Sequence, residues 1–420
     1  MPERRYRVLA IASHPVQYAP PIFRLMAQHA ELDFQVAYCS LRGAEAGHDP
    51  EFGRKVQWDV PLLDGYAWTH ATNHGSGSES FFGLYNPGLW KLIRKGRFDA
   101  VLCYTGYIRA SFWISYLAAK FSRTAFLFGA DTVNLSPLDG KEWKRPIKRF
   151  VWPLLFRLAD QVIVPSTGTR ELMLSLGIPG ERITLTPYVV DNDWWLAQSA
   201  KVDRDAIRAS WGASQGDVVV LFCAKLQPWK RPQDLLQAFA KVGMAKAVLV
   251  FAGDGPLRSS LESEAGKLGI SSRVRFLGFV NQTQLPAVYT GSDVMVLPSV
   301  YDAFGVVVNE AMLCGCPVIA SDRVGAARDL IQDGRTGFVY SCGDHRGMAT
   351  LLRRLAVNDP EPSALGRAAR IRMQSWSPAD NVAATVDAIE KAVSRVRRTM
   401  PCSRLVAPNA SDSTPHNVAE

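Results

Sequence analysis

The sequence predicts an α/β protein with two Rossmann-like domains that face a central cleft. Short, nearly continuous runs of Val, Ile, Leu and Phe alternate with helical patterns along most of the chain. Such runs are typical of strands that are buried on both faces of a parallel sheet. The runs form two successive sets, and a chain of 420 residues is long enough for two domains.

Each predicted strand is followed by a helical pattern that can supply a right-handed crossover to the next strand. The predicted strands of the first set cover residues 6–12, 33–39, 99–105, 124–130, 161–166 and 183–189. Those of the second set cover 217–226, 246–253, 273–280, 293–299 and 317–321.

The pattern also predicts where the domains begin and end. The strand and helix period breaks in the polar segment 190–205, which indicates a join. We therefore expect a first domain over residues 1–195 and a second over 196–375. A terminal helix over 376–398 is expected to cross back to the first domain, and the polar tail 399–420 is expected to be disordered.

Composition argues against several classes of protein. No apolar run approaches the roughly eighteen residues that a membrane-spanning helix needs, and the apolar segment 8–12 is too short for a signal peptide. We therefore expect a cytosolic protein. The seven cysteines are scattered and lack metal-binding spacing, so reduced thiols are predicted. His70 and His74 share helical spacing, but their segment HATNH runs into GSGSES, so a metal site is the alternative and no metal site is predicted.

Positive charge is concentrated in one part of the chain. Residues 91–157 contain thirteen Lys or Arg against four Asp or Glu, and within 141–159 the basic residues alternate with Trp143, Phe150, Trp152 and Phe156. Three interpretations stay open: a helix packed on the core with a solvated basic face, a surface for anionic lipid, or a surface for an anionic acceptor. A nucleic-acid partner is not expected, because no nucleic-acid-binding signature accompanies the charge.

Three polar motifs follow strands of the second set. They are KLQPWKRP with Lys225 and Lys230, GDGP with Gly253 and Gly255, and YDAFGVVVNE with Asp302 and Glu310. Taken singly, each motif has an ordinary interpretation. The lysines are then simply solvated in water, as lysines usually are, and GDGP is an ordinary strand-to-helix turn. Asp302 then stabilises a helix N-terminus, and Glu310 is a solvated acid. Ligands of parallel sheets bind where the strands end, so together the motifs offer cations, a phosphate nest and carboxylates for a nucleoside diphosphate sugar.

With their neighbours, these motifs resemble the retaining glycosyltransferases of family 4, which have the GT-B fold. The resemblance covers most of the chain and is strongest in the second half. It rests on AKLQPWK (224–230), GDGP (253–256), FLGFV (276–280), LPS (297–299), DAFGVVVNE (302–310), AMLCGCPVIAS (311–321) and DGRTGFV (333–339), which stand in the family's order and spacing.

The resemblance implies a role for each residue of the donor side. Glu310 would hold the ribose hydroxyls, Lys225 and Lys230 would grip the diphosphate, and Asp302 would contact a sugar hydroxyl near the anomeric carbon. The backbone of Ala303, Phe304 and Gly305 would touch the sugar, and the loop at Phe279 and Val280 would flank the base. Two positions depart from the family: Asp302 stands for the usual glutamate, and Lys225 for the usual arginine, which alone makes a bidentate phosphate contact.

The first half resembles a narrower subgroup, found with surface-polysaccharide genes in bacteria. The segments ASHPVQYAPPIF (12–23) and FGAD (128–131) carry this resemblance. His14, Gln17 and Asp131 follow strand ends and should face the cleft, where we expect them to handle the acceptor or the transferred sugar. Their alternative role is turn and capping chemistry.

The resemblance implies transfer of a sugar from a UDP- or GDP-sugar, a substrate rather than a cofactor, to a glycan, lipid-linked or small-molecule acceptor. The reaction would retain the anomeric configuration by same-face substitution and would need no metal and no cofactor. Alternatives are a sugar-nucleotide epimerase of the same fold, a sucrose-synthesising or phosphorolytic relative, and a non-catalytic partner that binds sugar nucleotides.

Overall fold

The protein consists of two parallel sheets, each with helices on both faces, as a computed structural model shows. The structure describes residues 5–49, 54–136, 140–357, 359 and 361–398. The predicted tail 399–420 lies outside the described residues. The two sheets confirm the predicted α/β fold class.

The first sheet has seven strands in the order β5-β2-β1-β6-β7-β8-β9, and β3 and β4 form a separate antiparallel pair. The strands of this half are β1 (Tyr6–Ala12), β2 (Leu32–Tyr38), β3 (Gly47–Asp49), β4 (Arg54–Val56), β5 (Ala67–His70), β6 (Ala100–Cys103), β7 (Ala125–Gly129), β8 (Gln161–Val164) and β9 (Ile183–Leu185). Its helices are α1 (Pro20–Gln28), α2 (Gly88–Gly96), α3 (Ala110–Phe121), α4 (Lys144–Arg157) and α5 (Thr167–Ser175).

The second sheet has six strands in the order β12-β11-β10-β13-β14-β15. They are β10 (Val218–Cys223), β11 (Ala247–Ala252), β12 (Val274–Gly278), β13 (Val294–Leu297), β14 (Val318–Ser321) and β15 (Gly337–Tyr340). The helices of this half are α6 (Asn192–Ser199), α7 (Arg204–Ser210), α8 (Pro232–Val242), α9 (Arg258–Lys267), α10 (Leu285–Gly291), α11 (Val307–Leu313), α12 (Gly325–Leu330), α13 (His345–Ala356), α14 (Pro362–Arg372) and α15 (Pro378–Arg398).

Central strands of both sheets are buried on both faces. Every residue of β10 and β11 is buried, as is every residue of β6 and β8. In the first domain, helices α2 to α5 pack on one face of the sheet and helices α1 and α15 pack on the other. This burial explains why the strands are nearly continuous apolar runs.

The chain passes from the first domain to the second just before α6. Trp195 of α6 is fully buried in a core of the second domain, and the Asn192 side-chain amide donates to the carbonyls of Met373 (3.1 Å) and Trp376 (3.2 Å). The boundary predicted between residues 195 and 196 falls within this helix. After α14 the chain returns, and Val386 and Ile389 of α15 pack on the first sheet.

The two domains contact each other on both sides of a cleft. On one side, the Asp329 carboxylate accepts from the Thr167 backbone N–H (3.1 Å). On the other side, the Asn281 amide donates to the Gln57 carbonyl (2.8 Å), and the ring centroids of Trp58 and Phe279 are 6.1 Å apart. The ends of the parallel strands of both domains therefore lie at one cleft, where ligands of such sheets bind.

Candidate active site

The loops that follow neighbouring strands of the second sheet are joined by backbone hydrogen bonds. Gly253 N–H donates to the Gly278 carbonyl (2.8 Å), Leu226 N–H to the Asp254 carbonyl (2.9 Å), and Val300 N–H to the Trp229 carbonyl (2.8 Å). The structure thus brings together the three motifs of the second half, with the loop of Phe279 and Val280 beside them.

Gly253 and Gly255 permit the close approach of two of these loops. Both have positive φ angles, 150° and 152°. A Cβ atom at Gly253 would lie 2.0 Å from the Ala224 carbonyl oxygen, and one at Gly255 would lie 2.7 Å from the Leu226 carbonyl oxygen. The GDGP turn therefore packs directly against the backbone of the Lys225 loop. This close packing is by itself a sufficient reason for glycine at both positions, whether or not a phosphate binds there.

Glu310 is buried within the second domain. It lies on α11 with 5% of its surface exposed, and the Tyr289 hydroxyl of α10 donates to its Oε2 atom at 2.7 Å. Cys223 Sγ lies 3.3 Å from the same hydroxyl. Burial raises the pKa of Glu310 to about 7, although the Tyr289 hydrogen bond acts in the opposite direction. The interpretation of Glu310 as a solvated surface acid is therefore wrong.

Asp302 and Lys230 form an ion pair with each other. The Lys230 ammonium donates to Asp302 Oδ2, and the side chains are only 17% and 16% exposed. The Asp302 backbone is also fixed, since its N–H donates to the Arg323 carbonyl (3.2 Å) and its carbonyl accepts from Gly325 (3.1 Å). Lys225 lies half-buried at the end of β10, on the same loop as Lys230.

The turn between Asp302 and α11 is held by aromatic packing. The Phe304 ring is 2% exposed, with centroids 5.4 Å from Tyr188 and 6.3 Å from Trp376. Gly305 has φ 91°, and a Cβ atom there would lie 3.4 Å from Asp302 Oδ2. Of the Ala303–Gly305 turn, only the backbone and the small side chain of Ala303 can therefore meet a sugar.

Asp131 of the first domain lies near Tyr301, the residue that precedes Asp302 in the second domain. It follows β7, and part of its surface is exposed. The surrounding protein atoms still desolvate its carboxyl group, which raises the pKa of that group. Burial and the charges of Asp131 and Asp302 raise the pKa of Tyr301, which therefore lies near both acids. Burial and the Asp131 charge also raise the pKa of Tyr18, to about 12.

His14 and Gln17 follow β1, near the same end of the first sheet. Both are half-buried, and the His14 Nδ1 atom lies 3.0 Å from Ser13 Oγ. This contact with the neighbouring serine is consistent with the alternative role of His14, which is to stabilise the turn after β1. Their expected role toward the acceptor stays a prediction.

Sequence reasoning missed the aromatic side chains that line the cleft. Burial and then the Tyr18 and Asp131 charges raise the pKa of Tyr188, whose ring centroid is 5.7 Å from that of Tyr18. Tyr104 follows β6, between the strands that precede His14 and Asp131. A signal existed in the sequence, because Tyr104 and Tyr188 stand near the ends of predicted strands, and Tyr18 and Tyr301 follow predicted strands.

A cavity of about 680 Å³ opens between the domains next to Tyr301, but Asp302, Glu310 and the two lysines of the donor side do not line it. Val133, Asn134 and Gly168 line it from the first domain, and Trp229 and Tyr301 line it from the second. Its volume suits a small-molecule substrate. Among the described residues, no group of three His, Cys, Asp or Glu side chains could hold a metal ion.

Two family models match successive parts of the chain. The model described as "Glycosyl transferase 4-like domain" matches residues 19–189, and "Glycosyl transferases group 1" matches residues 203–372. A D-inositol 3-phosphate glycosyltransferase of Streptomyces scabiei is 33% identical over 74% of this chain and 71% of its own length. The chain belongs to the family 4 glycosyltransferases.

Another curated relative of this family 4 chain is the D-inositol 3-phosphate glycosyltransferase of Mycolicibacterium smegmatis, at 34% identity. The match covers 59% of this chain and spans 56% of that relative's length. The predicted family is thus confirmed, while the subgroup stays a prediction.

Solved structures confirm the GT-B fold of this family 4 chain. Anabaena Alr3699/HepE, in complex with UDP and glucose, superposes with a TM-score of 0.69 over 92% of this chain and 100% of its own, at 19% identity. Sucrose-phosphate synthase from Thermosynechococcus elongatus gives a TM-score of 0.66 over 93% of this chain and 100% of its own, at 18% identity.

Proposed function

We propose that the protein transfers a sugar from a UDP- or GDP-sugar to a hydroxyl group of an acceptor. The burial of the Glu310 carboxylate is the observation on which this proposal rests. A buried carboxylate is costly unless hydrogen-bond donors satisfy it, and the two neighbouring hydroxyls of a ribose supply such donors. Glu310 stands at the strand-end edge of the donor domain, where a nucleotide binds in sheets of this type.

The lysines stabilise the leaving group in this proposal. Lys225 and Lys230 lie on one loop beside the start of α8, so two ammonium groups and a helix N-terminus can face a diphosphate. Because Lys230 is already paired with Asp302, an incoming diphosphate shares a cation whose charge is partly balanced. Asp302 then lies next to the sugar while its ammonium partner meets the phosphate.

The proposed reaction retains the anomeric configuration. The bond between the anomeric carbon and the diphosphate oxygen breaks, the acceptor oxygen bonds to the same face, and the departing phosphate takes the acceptor's proton. The protein's contribution is electrostatic, through Lys225 and Lys230. We propose that no metal and no cofactor takes part, since these cations stand where a metal would otherwise balance the diphosphate.

We propose that the acceptor binds on the first domain, near Asp131, His14 and Gln17. A glycan or lipid-linked acceptor of cell-surface polysaccharide synthesis fits the subgroup resemblance, at the inner face of the plasma membrane. A small anionic alcohol is the second candidate, because curated relatives are named for D-inositol 3-phosphate. Both acceptor classes present a hydroxyl group, so a direct comparison of the two is needed.

A thermal-shift panel of UDP- and GDP-sugars tests donor binding first, because a ligand of the native state raises its melting temperature. The donor that gives the largest shift is then incubated with inositol 3-phosphate or with a lipid-linked oligosaccharide, with and without EDTA. We expect free nucleoside diphosphate and a glycosylated product whose anomeric proton shows retention by NMR.

Two of the alternatives predict a different result. A donor that binds and is never consumed indicates a non-catalytic binding partner, and conversion of the donor sugar to its epimer indicates an epimerase. Inversion at the anomeric carbon, or complete loss of turnover in EDTA, contradicts the proposed mechanism.

A further inference from the structure

Helix α4 carries an exposed apolar stripe on its outer face. The stripe consists of Trp143, Ile147, Phe150 and Leu154, whose spacing places them on one face of an α-helix. Their exposed fractions are 62%, 50%, 75% and 56%. Single exposed apolar residues are ordinary on a protein surface, whereas a contiguous set of large ones indicates an interaction site.

The core of the first domain does not account for this stripe. A second set of apolar residues on α4, including Trp152, Leu155 and Phe156, packs inward. Phe156 stacks on Phe128 with ring centroids 5.4 Å apart, and Trp152 Nε1 donates to the Tyr107 hydroxyl (2.9 Å). By helical spacing the stripe lies on the opposite side of α4 from these residues.

Basic side chains flank the stripe. Within α4 the charged residues are Lys144, Arg145, Lys148, Arg149 and Arg157, and all of them are positive. By helical spacing Lys144 and Lys148 fall on one flank, and Arg149 and Arg157 on the other. The helix thus presents a central apolar stripe between two positive margins, which is the side-chain arrangement of helices that lie in a membrane interface.

We propose that this face of α4 docks the protein on a membrane surface that contains anionic lipid. The apolar stripe would enter the headgroup layer, and the flanking cations would meet lipid phosphates. The neighbouring helix α3, in the same layer, adds exposed Leu117 (45%) and Phe121 (69%). Docking would be peripheral, because no helix in the described part of the chain is long and apolar enough to cross a membrane.

Docking also bears on the acceptor. In the chain, α4 is the next helix after the loop of Asp131, so a membrane under α4 approaches the first-domain side of the cleft. This step rests on the proposed function: an enzyme that sits on the membrane is suited to a lipid-linked acceptor rather than to a freely soluble one.

Co-sedimentation with vesicles tests the docking surface. The full chain is mixed with vesicles of phosphatidylcholine alone or with phosphatidylglycerol added, at low and high salt. We expect binding to the anionic vesicles, weakened by salt because the charge component is screened. The Lys144→Gln, Arg149→Gln double variant should bind about tenfold more weakly, or worse, because it removes one cation from each flank of the stripe.

Matched apolar variants separate the stripe from general surface hydrophobicity. Phe150→Ser, alone and with Ile147→Ser, should lose most vesicle binding. Ile371→Ser removes an apolar side chain of similar exposure (65%) on α14 of the second domain and should bind like the wild type. Thermal melts confirm that each variant is folded.

Three results would overturn the proposal: equal vesicle binding by Phe150→Ser and Ile371→Ser, equal binding of the wild type to neutral and anionic vesicles, or no binding at all. A wild-type dimer that Phe150→Ser converts to a monomer in light scattering would overturn it too, by assigning the stripe to a second copy. The melting shift with UDP-glucose or GDP-mannose, measured without vesicles, tests the donor site separately. Failed docking with an intact shift therefore refutes the membrane surface alone.

Discussion

Donor binding should depend on pH through Glu310. Burial raises the pKa of Glu310 to about 7 in the ligand-free protein, and only the ionised carboxylate accepts a hydrogen bond from each of two ribose hydroxyls. At about pH 6 roughly a tenth of the molecules carry this carboxylate ionised, and at about pH 8 roughly nine-tenths do. Since the apparent dissociation constant scales inversely with the competent fraction, affinity should rise about tenfold between those pH values.

Isothermal titration calorimetry with UDP-glucose measures this dependence, with GDP-mannose as the probe if UDP-glucose gives no melting shift. These donors suit the measurement because their diphosphate is a diester with no proton to lose near neutral pH. Binding at about pH 7 should also release close to half a proton, which is seen as a heat that changes with the ionisation enthalpy of the buffer.

Glu310→Gln is the matched variant, because the amide keeps the shape of the side chain and does not titrate. It should bind the donor about 1.5–3 kcal/mol more weakly than the wild type at high pH, the worth of a hydrogen bond to a charged group. Its affinity should not change with pH, and Asp131→Asn should keep the wild-type slope. If wild type and Glu310→Gln show the same slope, Glu310 does not contact the ribose as an ionised group.

Four further predictions follow from the site. The free energy of unfolding should fall as pH rises from about 4.5 to about 7, by at most ~1.4 kcal/mol per pH unit, because the folded state keeps the Glu310 proton that the unfolded chain has lost. Denaturant titrations measure this fall, and Glu310→Gln should remove it. Gly253→Ala should cost more than about 2 kcal/mol and abolish donor binding, because the new Cβ meets backbone at 2.0 Å, while Gly243→Ala, with open space around it, should cost about 1 kcal/mol. Asp302→Glu should change the ranking of donor sugars in a turnover panel, and an unchanged ranking contradicts its role at the sugar. Asp131→Asn should reduce turnover while leaving the donor melting shift intact, and loss of the shift would place this acid at the donor instead.

The strands were predictable to the extent that they are buried. Runs such as 217–226 and 246–253 coincide with β10 and β11, whose residues are all buried. The short edge strand β5 was missed, because three of its four residues are exposed and leave no apolar run. The edge strand β15 was not predicted as a strand, since Gly337 opens it and only three apolar residues follow.

The sequence was sufficient to predict which residues lie at the site, but not which of their side chains contact each other. Parallel topology alone places residues that follow β10, β11 and β13 at one edge, so Lys225, Gly253 and Asp302 could be grouped before any contact was known. The Tyr289 hydrogen bond to Glu310 depends on how α10 packs against α11, and no local pattern carries that information. The same holds for the ion pair of Lys230 with Asp302, which are far apart in sequence.

These pairings bear on where the acceptor's proton goes. Asp302 is paired with the Lys230 ammonium, so its carboxylate already has a hydrogen-bond donor. Asp131 differs, because desolvation raises the pKa of its carboxyl, and a raised pKa makes a carboxylate a better proton acceptor. Of the two acids near Tyr301, Asp131 is therefore the one able to share the proton that the proposed mechanism gives to the departing phosphate. If it does, Asp131→Asn shifts the acidic limb of the turnover profile; if the phosphate acts alone, Asp131→Asn lowers turnover equally at every pH.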